Sequence, residues 1–226
     1  MFNYFNKQEA SSLGPVVGKI ANQEIRANQL LRRGSKWAGG YGTPSDGDDT
    51  NKGSQPVRVH TKNAKSLIIY WSRSGSTELL ASKLADKLDA DIYEVRLQNP
   101  YPANYQKTLA RANRERETGN PPAVVKDMWS LSQYDTVYFG FQTWAMTLSQ
   151  PMQGFLKAYG QEFTDKKLAP FETEGGYGQG DSISVFKQLI KEAGGKNNTY
   201  TKPLVVDGNK VDQADHRVSA WLKQVN

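Results

Sequence analysis

The stretch Ser66-Leu67-Ile68-Ile69-Tyr70-Trp71-Ser72-Arg73-Ser74-Gly75-Ser76-Thr77 decides the fold. Its first six residues form a near-continuous apolar run of strand length, as in a parallel strand covered on both faces. Thr77 to Leu88 then carries Leu79-Leu80, Leu84 and Leu88 at helical spacing. The loop between strand and helix offers three serines, a threonine, a glycine and backbone N–H groups at a helix N-terminus, whose partial positive charge favours an anion. Such a loop suits a terminal phosphate. It is not a Walker loop, because no Gly-Lys-Ser/Thr follows, nor a Gly-x-Gly-x-x-Gly dinucleotide turn. Taken alone, it is equally well a capped helix start.

The alternation continues toward the C-terminus. Asp91 to Leu97 alternates with period two, as an edge strand would. Tyr105 to Thr118 is a polar helix candidate, and Asp135 to Phe141 reads as a second buried strand. Pro151 to Tyr159 predicts a helix with proline in its first turn. Lys167 to Thr173 and Tyr200 to Val206 read as strands, each marred by a proline (Pro170, Pro203) that cannot donate to a ladder. Ser182 to Ala193 and Val211 to Gln224 are helical, with Val218, Trp221 and Leu222 toward the sheet. Five strands alternating with helices predict an α/β fold: a doubly wound, five-stranded parallel sheet between two helical layers. Among the few topologies that right-handed crossovers leave, order 2-1-3-4-5 opens a ligand crevice at the carboxyl ends of the strands.

Residues 65–226 are expected to form this domain, and residues 1–60 an N-terminal extension. Within the extension, 15–33 predicts a short basic amphipathic helix through Val17, Ile20, Ile25 and Leu30-Leu31. Gly34 to Pro56, nearly devoid of aliphatic residues, predicts a flexible linker. The net charge of +6 is uneven: residues 1–64 hold 9 Lys+Arg against 5 Asp+Glu, and the remainder 20 against 18. A nearly balanced folded part with a solvated basic tail argues against a nucleic-acid partner. With no cysteine, thiolate metal sites, disulfides and cysteine nucleophiles are excluded. His60 and His216, far apart in sequence, read as surface residues, so neither a metal site nor a catalytic side chain is anticipated. No apolar run reaches the ~18–20 residues of a membrane span, and no signal h-region follows Met1. The expectation is a cytoplasmic protein, or else an exported one whose signal is absent from this chain.

Two more loops bear on the ligand. After Phe141 come Gln142-Thr143-Trp144-Ala145-Met146, where a Trp and a Met beyond a strand end are suited to cover a flat aromatic ring. After the strand at Lys167 come Thr173-Glu174-Gly175-Gly176-Tyr177, then Gly178 and Gly180. Glycines let backbone approach a ligand closely, and Tyr177 could stack. A phosphorylated planar cofactor satisfies all three loops together.

Over roughly residues 66–226 the sequence resembles the flavodoxin family, and within it the short-chain bacterial flavodoxin-like proteins. Ser72-Arg73-Ser74-Gly75-Ser76-Thr77 matches the phosphate pattern Ser/Thr-x-Ser/Thr-Gly-x-Thr at every fixed position. Phe139 to Trp144 with Pro151, the segment Pro170-Phe171-Glu172-Thr173-Glu174-Gly175-Gly176, and the terminal Trp221-Leu222 are similar too. The resemblance implies a flavodoxin-like three-layer sandwich and non-covalent FMN. It implies a phosphate held at Ser72, Ser74, Gly75, Ser76 and Thr77, and a ring lying between the Trp144 loop and Gly175-Gly176-Tyr177. It implies an electron-transfer protein, with an NAD(P)H-dependent FMN quinone- or nitro-reductase as the alternative and a redox partner or NAD(P)H as second ligand. Gln142-Thr143 stand where the subfamily often has proline and an aliphatic residue, and Ala145 where a second aromatic is common. These departures keep a third reading open, a cofactor-free binding module.

Overall fold

In the computed structural model, which describes residues 14–45 and 55–225, the run Ser66–Tyr70 is strand β4 of an eight-stranded, mostly parallel sheet. The chain before it contributes β1 (Val16–Ile20), β2 (Gln23–Arg26) and β3 (Arg58–Val59). After it come α1 (Ser76–Ala85), β5 (Ala90–Glu94), α2 (Tyr105–Thr118), β6 (Thr136–Trp144), β7 (Thr147–Leu148) and α3 (Gln150–Tyr159). The chain ends with β8 (Lys167–Glu174), α4 (Ser182–Glu192), β9 (Thr199–Tyr200), β10 (Leu204–Asp207) and α5 (Asp215–Val225).

The sheet runs β10-β8-β6-β4-β5-β3, with β7 on β6 and β9 on β8. Pairings among β10, β8, β6, β4 and β5 are all parallel. Alternate residues of β4 feed opposite layers, as strand geometry requires. Ile68 and Tyr70 join Leu79, Leu80 and Leu84 of α1 and Val218, Trp221 and Leu222 of α5. Leu67 and Ile69 join Phe155 and Leu156 of α3 and Phe186 and Ile190 of α4.

Three expectations are corrected. The Asp91–Leu97 strand is not the edge of the sheet, because β3 pairs antiparallel along β5. This pairing lets β5 bury its acids: Asp91 accepts from Thr61 N–H and Oγ1, both 2.9 Å, and Glu94 accepts from the Val57 N–H at 2.8 Å. The second correction concerns 15–33, which is no helix. Its β-branched Val16, Val17, Ile20 and Ile25 favour strand, and the chain folds as the β1–β2 hairpin. The turn Ala21-Asn22 has φ of 44° and 70°, the left-handed pair that a two-residue hairpin needs. Residues 28–31 and 34–36 follow as 3-10 turns.

The third correction concerns Gly34 to Pro56. Its stretch 34–45 is docked rather than loose, with Thr43 and Ser45 buried; residues 46–54 lie outside the described residues. Ile20, Ile25, Ala27 and Leu30 belong to the same core cluster as α1. Burying each larger aliphatic side chain stabilises by about 1.5–3 kcal/mol, which outweighs the weak helical pattern.

The prolines have a local reason. Along β8, β9 pairs with Lys167–Leu168 and β10 only from Phe171 onward. The Leu168 carbonyl accepts from Thr201 on that side. Residues two apart in a strand point alike, so the missing N–H of Pro170 falls in the gap between β9 and β10, beside Pro203.

Candidate functional site

The loops after β4, β6 and β8 meet in one cleft of about 220 Å³ at the carboxyl ends of the strands. Its deep end is the loop 72–77. Gly75 caps α1 with φ 90°, and a Cβ there would run into the Arg26 carbonyl and come within 3.0 Å of Ala27 Cα. Only glycine combines that backbone with that proximity. The Gly75 N–H donates to Ser72 Oγ at 3.2 Å, and Ser76 Oγ donates to the Gly208 carbonyl at 2.6 Å. Thr77, fully buried, accepts from Gln142 Nε2 at 2.6 Å and lies 2.8 Å from Thr173 Oγ1. One residue from each loop thus meets at a single hydroxyl.

Arg73 is the exception in the loop 72–77. Its guanidinium donates to the carbonyls of Thr43 and, at 3.2 Å, Ala103, and lies 5.5 Å from the Tyr105 ring centroid. It fastens the N-terminal segment and the chain before α2 to the loop.

The opposite end of the cleft is shaped by the β6–β7 hairpin. The sequence placed strand end at Phe141 and a loop thereafter, but β6 continues to Trp144 and turns back through Ala145-Met146, both at positive φ (49° and 64°). Two non-glycine residues in the left-handed region store backbone strain at the rim of the cleft. The Trp144 ring stands edge-on to Trp71 and Tyr101, 5.5 Å from each, so it both lines the cleft and packs on the core. Across from it, the Glu174 carboxylate accepts from the N–H groups of Gly176 (2.5 Å) and Gly178 (2.7 Å). Those amides hold the loop closed on itself instead of facing a ligand. Tyr177 is 78% exposed and Met146 48%.

Below this end lies Glu172, with no exposed surface. Burial pushes its carboxyl up to about 7, against hydrogen bonds from Ser182 Oγ (2.6 Å) and Thr143 Oγ1 (3.2 Å) that favour the ionised form.

Of the residues predicted from sequence, Ser72, Arg73, Ser74, Ser76 and Thr77 line the cleft together with Gln142, Thr143, Trp144, Ala145, Thr173, Glu174 and Gly175. Gly75, Met146, Gly176 and Tyr177 do not. Two sets of lining residues were missed. Thr108, Asn113 and Arg116 come from α2, and Gln29, Trp37 and Gly39 from the N-terminal segment. The α2 set had a signal, a helix with so few apolar residues that its inward face must be partly polar, with only Thr108 and Ala112 buried. The N-terminal set had none, because it depends on a long-range docking that local pattern does not encode.

The donor set fits a phosphorylated ligand of mixed polarity. Hydroxyls and a helix N-terminus form one end and an indole the other. Between them Gln142 Oε1 is buried without a hydrogen-bond partner among the described residues, an acceptor that a bound donor would satisfy. Among the described residues no cluster of three metal-ligating side chains occurs, and no helix is long and apolar enough to cross a membrane.

A flavodoxin family model matches residues 65–222. Among solved structures, a flavoprotein from Bacteroides uniformis is 26% identical with a TM-score of 0.58, over 72% of this chain and 99% of that one. One from Bacteroides eggerthii is 22% identical with the same TM-score, over 72% and 98%. A flavoprotein from Lactobacillus acidophilus, solved in complex with FMN, is 23% identical with a TM-score of 0.53, over 66% and 97%. No curated protein matches the chain.

Proposed function

This chain belongs to the flavodoxin family, and from that premise we propose that its cleft holds FMN without covalent attachment and that the protein transfers electrons through it. The carrying observation is the meeting of three loops at Thr77, where Gln142 and Thr173 converge on a hydroxyl of the phosphate loop. FMN, when bound, supplies one- or two-electron transfer.

The chain's own residues hold and shield it. Ser72, Ser74 and Thr77, at the N-terminus of α1, offer hydroxyl and amide donors to a phosphate, and Ser76 shapes the loop through Gly208. Gly75 lets that loop turn while the N-terminal segment packs behind it. Gln142 Oε1 takes a donor from the ligand's middle. Trp144 covers the ring from the hairpin side, and Thr173 to Gly175 from the other. The exposed Met146 and Tyr177 flank the ring end and leave room for a redox partner. One feature favours the second reading, a reductase using NAD(P)H: Arg116 and Asn113 of α2 line the same cleft and offer a cation and an amide to a nucleotide phosphate.

The test is spectroscopic. Protein incubated with FMN and then desalted is expected to retain the visible flavin bands; a colourless product would sink the FMN reading and leave a cofactor-free binding module. Steady NAD(P)H oxidation with a quinone acceptor would select the reductase, and inertness toward both nucleotides the carrier.

A further inference from the structure

We propose that the N-terminal segment completes the cofactor site: Trp37 touches the bound flavin, and Gln29 is a positioning residue for the phosphate loop. The proposal rests on the FMN reading above and extends it to residues outside the part of the chain that the family model matches, 65–222.

The segment is built into the domain. Its hairpin packs on α1, where a Cβ on Gly18 would stand 3.0 Å from Leu79 Cδ1. Arg32 donates to the Tyr41 carbonyl and, at 3.0 Å, to Thr43 Oγ1. Arg33 pairs with Asp212, on the turn that also carries the Gly208 acceptor of Ser76. These ties fix the path of residues 28–40 along one wall of the cleft.

Gln29 is 4% exposed and lies against the loop. With its amide oriented to satisfy both ends, Nε2 donates to Ser74 Oγ at 3.0 Å and to the Ser74 carbonyl at 2.9 Å, and Oε1 accepts from Ser76 Oγ and from the Ser76 N–H at 3.3 Å. One side chain therefore sets two of the loop's three serine hydroxyls, those of Ser74 and Ser76. A hydroxyl has one proton to give. Ser76 Oγ already faces two protein acceptors, Gly208 and Gln29, so its part is to shape the loop while other donors remain for the phosphate.

Trp37 stands at the other end. Residues 37–40 face the loop after β8 at close range: a Cβ on Gly175 would lie 2.9 Å from the Gly39 carbonyl oxygen, and one on Gly176 would lie 3.8 Å from Trp37 Nε1. That indole nitrogen is buried and has no hydrogen-bond partner among the described residues. An orphaned buried donor costs about 1–3 kcal/mol. Trp37 lines the cleft, and a flavin carries ring carbonyls and ribityl hydroxyls able to accept from it.

The experiment compares FMN with riboflavin, which lacks the phosphate, on the full chain by fluorescence titration, with a thermal melt on every variant. Trp37→Phe keeps a ring but removes the donor. It is expected to weaken both ligands alike, by about 5–10-fold, the worth of a net hydrogen bond, and to shift the bound visible spectrum. Gln29→Ala is expected to weaken FMN by about 10-fold and leave riboflavin unchanged, because the change is confined to the phosphate end. Unaltered affinity and spectrum in Trp37→Phe overturn the proposal. So does a Gln29→Ala protein that binds FMN more tightly, which would make Gln29 a competitor for the phosphate. Should Gln29→Ala fail to fold, Trp37→Phe, at a half-buried residue, still decides. Wild-type protein that binds neither flavin would instead refute the underlying FMN reading.

Discussion

The two ends of the cleft are built to different standards. At the end formed by loop 72–77, Ser72, Ser76 and Thr77 are at most 4% exposed, and the hydroxyls of Ser76 and Thr77 bond to Gly208, Gln142 and Thr173, all distant in sequence. At the ring end Met146 and Tyr177 stand largely in solvent, on a strained hairpin turn and a loop closed mainly by its own Glu174. A ligand gripped by its tail and exposed at its head can stay bound and still exchange electrons with a visitor. The difference suits a flavoprotein whose anchor is rigid and whose working face is accessible.

The comparison is broken most severely at Gly75. Gly75→Val places a β-branched residue at φ 90° against the Arg26 backbone, and strain plus overpacking should cost about 3–5 kcal/mol. Denaturant melts should show that loss, together with loss of FMN binding. The same change at Gly178, whose Cβ would meet nothing within 4 Å, should cost only the φ strain of about 1–3 kcal/mol.

Next comes Glu172, the buried acid beneath the ring end. Its folded value near 7 lies above the ordinary 4.5, so the native state holds the proton more tightly than the unfolded chain. The stabilising contribution is full below pH 4.5 and is lost as pH rises through 7, by up to about 3 kcal/mol. Urea melts at pH 5 and pH 8 should show the drop in the wild type, and Glu172→Gln should flatten it. A flat wild-type profile would contradict the assignment.

Ser74→Asp, at a partly exposed position lining the cleft, adds a carboxylate to the proposed phosphate loop. It should weaken FMN about 100-fold, close to 3 kcal/mol, while riboflavin falls far less; equal losses would mean that the anchor is not a phosphate site. At the ring end Trp144→Ala should cost about 10-fold for both ligands, from lost stacking and from the cavity left beside Trp71 and Tyr101. Tyr177→Ala, at a residue 78% exposed, should change affinity less than about 3-fold. An effect larger than that of Trp144→Ala would show that the ring end closes over its ligand.

Much of this is legible in the sequence. Helix α2 spans Tyr105–Thr118, the range read from sequence, because Asn104 caps it through the Lys107 N–H and Gly119 ends it in the left-handed region. The strands around Ile68, Val137 and Leu168 announced themselves as apolar runs, since strands covered on both faces tolerate little else. Ser72 to Thr77 could be read as a phosphate loop because a strand, hydroxyls, a glycine and a helix start are all local in sequence. The β6–β7 turn was read only as a loop, for Ala145-Met146 has none of the Asn-Gly chemistry that usually marks a tight hairpin.

What the sequence by itself determined is therefore the alternation of strands and helices and the hydroxyl-rich loop between β4 and α1, because each rests on neighbours within one or two turns of chain. The tertiary structure alone decided that residues 14–45 belong to the same core and the same cleft. Ile20, Ile25 and Leu30 become buried only once α1 is there to receive them, and Gln29 and Trp37 reach the site only because that burial carries them to it. Long-range burial leaves no periodic trace in a short segment, so its consequence for the site could not be read locally.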